Sequence, residues 1–343
     1  MAPSTSLARG SDFSHLLRRV KAAGLLRRRP GYYVTKIAVI GALFVTGWTV
    51  FVLLGDSWWQ LLVAVFLAVV FAQIGFIGHD AGHHQVFRSR TANYVAGLVL
   101  GNLAIGLSYG WWVDKHNRHH ANPNHEDKDP DVGIGALAFT AEQACAKRGR
   151  LTRFIARHQR YLFFPLLLLE ALQLHVSSVR AVAGRGLRHR FWEALTLGVH
   201  ALGYLGAVML VLSPLKAVVF VVVQQGLLGL YLGCAFAPNH KGMPMLAADD
   251  RTDFLRRQVL TSRNVRGNWL VDFVLGGLNY QIEHHLFPSV PRPNLRRLQP
   301  IVRAFCRERD VAYCETTLLR SYAQALRHLH EVGRPLRIAH VTR

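Results

Sequence analysis

Four stretches of this chain, residues 37–54, 58–77, 194–212 and 215–237, are long and apolar enough to cross a bilayer as helices, which takes roughly 20 mostly apolar residues. No other feature narrows the fold as much, because a helix satisfies its own backbone polar groups where no water is at hand. Residues 61–77 and 217–237 carry no Asp, Glu, Lys or Arg at all. The spacing groups the stretches in pairs. Gly55-Asp56-Ser57 separates the first two and Ser213-Pro214 the last two, and neither link can hold a domain. The predicted class is an all-α integral membrane protein: four transmembrane helices in two hairpins, with a helical cap on the opposite side.

Charge tests that arrangement. The chain has 41 Lys+Arg against 20 Asp+Glu, a net of +21. Lys and Arg accumulate in cytoplasmic loops. Here 8 fall in residues 1–36, 15 in 79–190 and 17 in 238–343, leaving only Lys216 beside an outer turn. The bias predicts both termini and the central segment in the cytoplasm, and a bacterial-type plasma membrane is the expected location. We read residues 1–343 as one domain: a cytoplasmic segment 1–34, a first hairpin 37–77, a cytoplasmic insert 78–190, a second hairpin 194–237 and a cytoplasmic region 238–343. The Arg-rich leader and the long first apolar run fit a retained anchor better than a cleaved signal.

Two shorter apolar segments, 94–107 and 161–175, fit packing under the bundle or lying along the interface better than spanning. Cys145, Cys234, Cys306 and Cys314 form no CxxC and no disulfide framework. Apolar residues at Leu295, Leu298, Ile301, Val302 and Phe305 mark one face of a helix. The surplus arginines are spread over loops without a groove-reading motif, so no nucleic-acid partner is expected.

Eight histidines are clustered, in His79-Asp-Ala-Gly-His83-His84, His116-Asn-Arg-His119-His120 and Gln281-Ile-Glu-His284-His285. Residues three and four apart share a helix face, so each cluster aims two or three imidazoles in one direction. A lone HxxxH is common on surface helices. Three such boxes on one side of a four-span topology point instead to metal, because crowded imidazoles repel when protonated and lose solvation when neutral, whereas a cation uses their lone pairs. Eight or more nitrogens exceed one site, which implies two ions. Imidazole suits Zn, Cu, Fe and Ni alike, and the spacing does not choose among them.

The three boxes, with Gly277-Leu-Asn-Tyr-Gln281-Ile-Glu-His284-His285-Leu-Phe-Pro288 the most specific stretch and Asp129-Pro-Asp131 following His119-His120, resemble the integral-membrane fatty acid desaturases. The resemblance implies two iron ions, O2 as co-substrate, and two electrons from an external donor, which together remove two hydrogens from a fatty acyl chain held as a coenzyme A ester or a lipid. It implies iron ligation by His79, His83 or His84 or both, His116, His119, His120, His284 and His285, with His240 as a further ligand and Asn239 as a weaker one. Gln281 stands where many relatives have the first His of the third box, as in front-end desaturases, and is expected to orient a neighbouring group. Asp129 and Asp131 are expected to hold ligand imidazoles from behind. No His precedes Pro, so the sequence carries no HPGG haem motif, and a separate ferredoxin or flavin-dependent NAD(P)H reductase is expected to supply the electrons.

An acyl tunnel enclosed by the four spans is expected. Trp111 and Trp112 are read as interfacial anchors, Gln224 and Gln225 as bonds to a neighbouring helix, and His200 as a packed span residue. His15, His158, His189, His328, His330 and His340 are read as surface residues. The alternatives are a related di-iron hydroxylase, epoxygenase or acetylenase and, outside enzymes, a membrane metal transporter or sensor, for which histidines within spans would be expected.

Overall fold

The structure is a computed structural model that describes residues 11–133 and 135–341, with side chains through Ile338. The first ten residues and the His340 side chain lie outside that description. The chain begins with α1 (Asp12–Ala22), α2 (Pro30–Leu54), α3 (Gln60–Gly82) and α4 (Arg90–Gly97), which runs on into a π-helical turn, Leu98–Ala104. Next come α5 (Tyr109–Ala121), α6 (Ala141–Cys145), α7 (Arg150–Leu167), α8 (Glu170–Ala183), α9 (Arg190–Val211) and α10 (Pro214–His240). The C-terminal third holds α11 (Phe254–Leu260), α12 (Trp269–Val274), α13 (Gln281–Leu286), α14 (Arg292–Glu308), α15 (Leu318–Val332) and α16 (Arg334–Val341). Among the described residues the only strands are β1 (Asn264–Val265) and β2 (Glu315–Thr316), a two-residue parallel pair.

Among the described residues, α2, α3, α9 and α10 are the four single helices long and apolar enough to cross a membrane. Two bent pairs, Arg90–Ala104 with Tyr109–Ala121 and Arg150–Leu167 with Glu170–Ala183, would bring the number to six if each counted as one span. Pro at the first position starts α2 and α10, where the missing N–H costs no helical bond. Their apolar residues divide by role. Those of α3 are mostly buried and form the central core with α10, whereas α2 and α9 turn theirs outward, with Leu53 80% and Leu210 88% exposed. A soluble protein rarely leaves so wide an apolar surface uncovered, and lipid is the solvent that suits it. Gln60 donates from α3 to the carbonyl of Phe51 on α2, and Tyr204 of α9 donates to Gln224 of α10, which is the inter-helix use expected for that glutamine. Asp56 binds Ser213 and Lys216, tying the two short links together.

Two boundaries differ from the sequence reading in ways that matter. The second apolar run does not stop before the first histidine box; α3 continues through His79 to Gly82, so the first box's ligand candidates ride on the end of the span helix itself. Likewise α10 ends on His240, which is the last residue of a helix rather than part of a loop beyond it. The 94–107 segment is a short helix with a π-turn, and 161–175 lies in the bent α7–α8 pair, which turns by 79°.

A second core joins α1, α11, α13 and α14. The apolar stripe expected on the C-terminal helix is real: Leu295, Leu298, Val302 and Phe305 are buried along α14. Helix α14 is joined to α3 by Arg292, which pairs with Asp80 at 2.7 Å while both are buried. Sequence reading missed this pair.

Candidate metal centre

The three boxes lie on three short pieces of scaffold. His79 and His83 come from the C-terminal end of α3. His116, His119 and His120 come from α5, whose first turn is capped by Ser108. His284 and His285 come from α13, a single buried turn and a half entered through Gly276 and Gly277. Both glycines have positive φ, 61° and 78°, a region open to glycine at little cost. A Cβ on Gly276 would meet the Phe76 ring at 2.5 Å, and one on Gly277 the Arg292 side chain at 2.6 Å. These glycines let the third box press against α3.

The imidazoles meet in two adjoining groups. Ligand atoms of His79, His83, His116 and His284 lie within 4.8 Å of one another, as do those of His119, His240 and His285. His120 sits between the groups, with its Nε2 3.1 Å from that of His116 and its ring stacked on His285 at 4.1 Å. The second and third boxes therefore each serve both groups, contrary to the expectation that a box aims in a single direction, whereas the first box gives His79 and His83 to one group alone. His284 and His285 are neighbours on α13, and a helix rotates successive side chains by about 100°, so they diverge into different groups.

The second group shows how these nitrogens could hold a cation. His119 Nδ1 lies 3.0 Å from both Asp129 oxygens. His240 Nδ1 lies 2.9 Å from the Thr261 carbonyl. His285 Nδ1 lies 2.9 Å from Gln258 Oε1, and that amide is fixed the right way round because its nitrogen donates to the carbonyl of His120. All three partners accept, so all three rings carry their proton on Nδ1 and present a bare Nε2. Those lone pairs converge, with Nε2 separations of 3.3 Å from His119 to His240 and 3.0 Å from His240 to His285. In the first group, Nε2 of His79 and of His284 is buried with no hydrogen-bond partner. Buried polar atoms are rarely left so. An imidazole-only donor set of this kind fits a first-row transition metal, iron included.

The electrostatics agree. Burial holds the His284 and His285 pKa values well below the usual imidazole range, and neighbouring imidazoles push them lower still. His119 is the exception: burial disfavours its charged form, but the Asp129 hydrogen bond and charge, helped by Asp131, outweigh that and raise it. Behind α13, Glu283 accepts from Tyr313 at 2.7 Å and from Asn264 at 2.6 Å. Burial pushes its carboxyl up to about 7 against the pull of those two donors.

Not every sequence candidate arrives. His84 is outside both groups: α3 has ended at Gly82, and His84 takes a left-handed φ of 56° and is exposed. One residue past a helix end, the chain has turned away, so of the pair only His83 faces the centre. Gln281 places its amide nitrogen 2.8 Å from His240 Nε2, and Asn239 donates to Gln281 Oε1 at 3.3 Å. Asp129 is where sequence reading put it, behind a ligand candidate. Asp131 is 3.5 Å from His119 Nδ1 and pairs with Lys115 at 2.5 Å. Gln258 and Thr261 were missed. Neither stands in a motif, and only tertiary folding brings Gln258 to His285 on α13 and Thr261 to His240 at the end of α10.

A cavity of about 750 Å³ opens beside the groups, reaching His79, His116, His119 and His240. Its apolar walls come from α3, α5, α7, α8 and α10, through side chains such as Phe76, Phe163, Leu167, Leu172 and Phe236. This corrects the expected enclosure by four spans: α2 and α9 line none of it, and the bent α7–α8 pair takes their place. Trp111 and Trp112 are corrected too. Both line the cavity, and Trp112 stacks on His116 at 4.4 Å. Among the histidines expected at the surface, His328 is half-buried and bonds to the carbonyl of Phe139.

Comparison with known proteins agrees with this site. The fatty acid desaturase family model matches residues 56–317. An acyl-lipid (9-3)-desaturase of Physcomitrium patens is 31% identical over 319 residues, covering 91% of this chain and 60% of its own. A delta(6)-fatty-acid desaturase of Caenorhabditis elegans is 30% identical, covering 94% of this chain and 75% of its own. An acyl-lipid 8-desaturase of Rebecca salina is 31% identical, with 93% and 74% covered. The chain thus spans about three fifths to three quarters of the length of these relatives. Box order, converging imidazoles and the extent of the match lead to one conclusion: this chain belongs to the fatty acid desaturase family.

Proposed function

We propose that this chain is an O2-dependent fatty acyl desaturase whose two histidine groups each hold an iron ion. The observation that carries the reading is the convergence of three Nε2 lone pairs whose Nδ1 protons are fixed by Asp129, Thr261 and Gln258. His79, His83, His116, His120 and His284 would hold one ion, and His119, His240 and His285 the other. When bound, the iron pair supplies the redox chemistry by which O2 removes hydrogen from an unactivated methylene, a task no amino-acid side chain performs.

The chain's own residues do the rest. Asp129, Thr261 and Gln258 keep their imidazoles in the tautomer that ligates. The apolar cavity walls bind the acyl tail and exclude water, which favours C–H oxidation over side reactions. Trp112, stacked on His116, joins that wall to the ligand set. Converting O2 to two waters while one carbon pair loses two hydrogens requires two electrons and two protons beyond the substrate's own, so an electron donor is part of the reading. A ferredoxin or a flavin-dependent reductase meets that need.

The two paired spans, joined through Asp56 to Ser213 and Lys216, support a pair of outer turns with the histidines on the cytoplasmic side, where nearly all the Lys and Arg lie. Co-expression with a ferredoxin and its reductase in a host of known lipid profile, followed by mass spectrometry of the acyl chains, tests the activity. The expected result is a new double bond, lost in His119→Ala and in His285→Ala while both variants stay in the membrane. Wild-type product from either variant, or hydroxylated chains in place of alkenes, would overturn the reading.

A further inference from the structure

Helix α3 carries three glycines near its C-terminal end, and a Cβ would meet something different at each. At Gly82 it would strike the Trp112 indole at 2.8 Å, and at Gly75 it would make ordinary contact with Ile105 at 3.6 Å. At Gly78, which is buried, it would meet no atom within 4 Å. A buried glycine with nothing opposite it faces a void, and the void is the cavity, which Gly78 and His79 both line. The His79 Nε2 beside it is buried without a partner. Glycine inside a helix weakens it relative to alanine, and here no close packing compensates. Gly229 of α10 shows the contrast, since a Cβ there would run into the Leu167 carbonyl at 2.7 Å.

We propose that Gly78 is a specificity-determining residue: its missing side chain opens the lane through which the acyl chain passes the metal centre, so the residue at 78 decides which chains reach it. This rests on the reading that an acyl chain occupies this cavity. An extended polymethylene chain packs against bare helix backbone there, and a side chain at this position would leave the helix into open space, since its Cβ meets no neighbour within 4 Å.

The test is binding of 9,10-dibromostearate to the purified full chain, read as quenching of tryptophan fluorescence, with Trp111 and Trp112 in the cavity wall. Heavy-atom quenching needs near contact, so it reports occupancy independently of turnover. Gly78→Ala adds one methyl into open space and is expected to keep its fold and bound metal. Gly78→Leu is expected to keep its metal while binding weakens about tenfold or more, a step of 1.4 kcal/mol per decade, and shorter saturated chains gain in relative use as substrates. Equal quenching in wild type and Gly78→Leu, with the same chain-length profile, would overturn the lane while leaving desaturation intact. Loss of metal along with quenching in Gly78→Leu would assign the residue to packing and equally overturn it. Absence of specific quenching in the wild type would overturn the acyl reading of the cavity, and the lane with it.

Discussion

Asp129→Asn isolates the tautomer argument in a single substitution. The Asp129 carboxylate is buried and accepts four approaches at once: His119 Nδ1 at 3.0 Å to each oxygen, the Asn124 amide at 2.7 Å and the Asp131 amide at 2.9 Å. Asparagine keeps the shape but has one accepting oxygen. Whichever way its amide lies, its NH2 faces the backbone N–H of Asn124 or that of Asp131. A buried donor left without an acceptor costs about 1–3 kcal/mol. The remaining oxygen is contested, so His119 loses the anion that fixed its proton on Nδ1, and its Nε2 ceases to be a reliable lone pair. Removing such a supporting group typically lowers metal affinity about 10–100-fold, which is roughly 1.4–2.8 kcal/mol. The assay is iron content after anaerobic reconstitution against a graded chelator, with thermal unfolding of the metal-free protein measured in parallel. The expected result is a weaker second ion, with His119 no longer more basic than the other imidazoles. Wild-type iron retention in a correctly folded Asp129→Asn protein would refute the claim that this carboxylate sets the ligating tautomer.

Other expectations follow from the same geometry. Gln258→Leu removes the acceptor of His285 Nδ1 and the donor to the His120 carbonyl together, so iron content should fall on the same scale as for Asp129→Asn; full occupancy would show that the bridge is dispensable. His83→Ala should abolish activity and His84→Ala should leave both iron and product unchanged, because only His83 faces the groups; a dead His84 variant would put the end of α3 in the wrong place. Arg292→Met removes the cation from the buried Asp80 carboxylate and leaves it only the His79 imidazole at 3.4 Å, a loss of up to about 3–5 kcal/mol that a thermal melt in detergent should register as a large fall; an unchanged melt would mean the pair is solvated. Gly229→Ala should destabilise the packing of α10 on α7 and α8, where a Cβ would overlap backbone at 2.7 Å, and a melt no lower than wild type would contradict that contact.

The apolar runs and the histidine spacing were enough to define the all-α class, four long apolar helices and the ligand candidates, because each signal is local. A run of about 20 apolar residues has few alternatives to a helix in lipid, and imidazoles three and four apart share a face wherever the helix lies. The partition of the ligands was not legible. His284 and His285 part company, and His83 is taken while His84 is left, according to where α13 and α3 are rotated and where α3 stops, and those details are fixed by packing against Arg292, Trp112 and the α10 end. The supporting groups were equally hidden. Gln258 and Thr261 lie 27 and 24 residues before His285 in a stretch with no pattern, and become acceptors only because α11 and the residue after it fold against His285 on α13 and His240 at the end of α10. The cavity, too, belongs to tertiary structure. Its walls come from the bent α7–α8 pair and α5 as much as from the spans, and no periodicity shows which face of an apolar helix meets lipid and which meets substrate, since both are hydrocarbon.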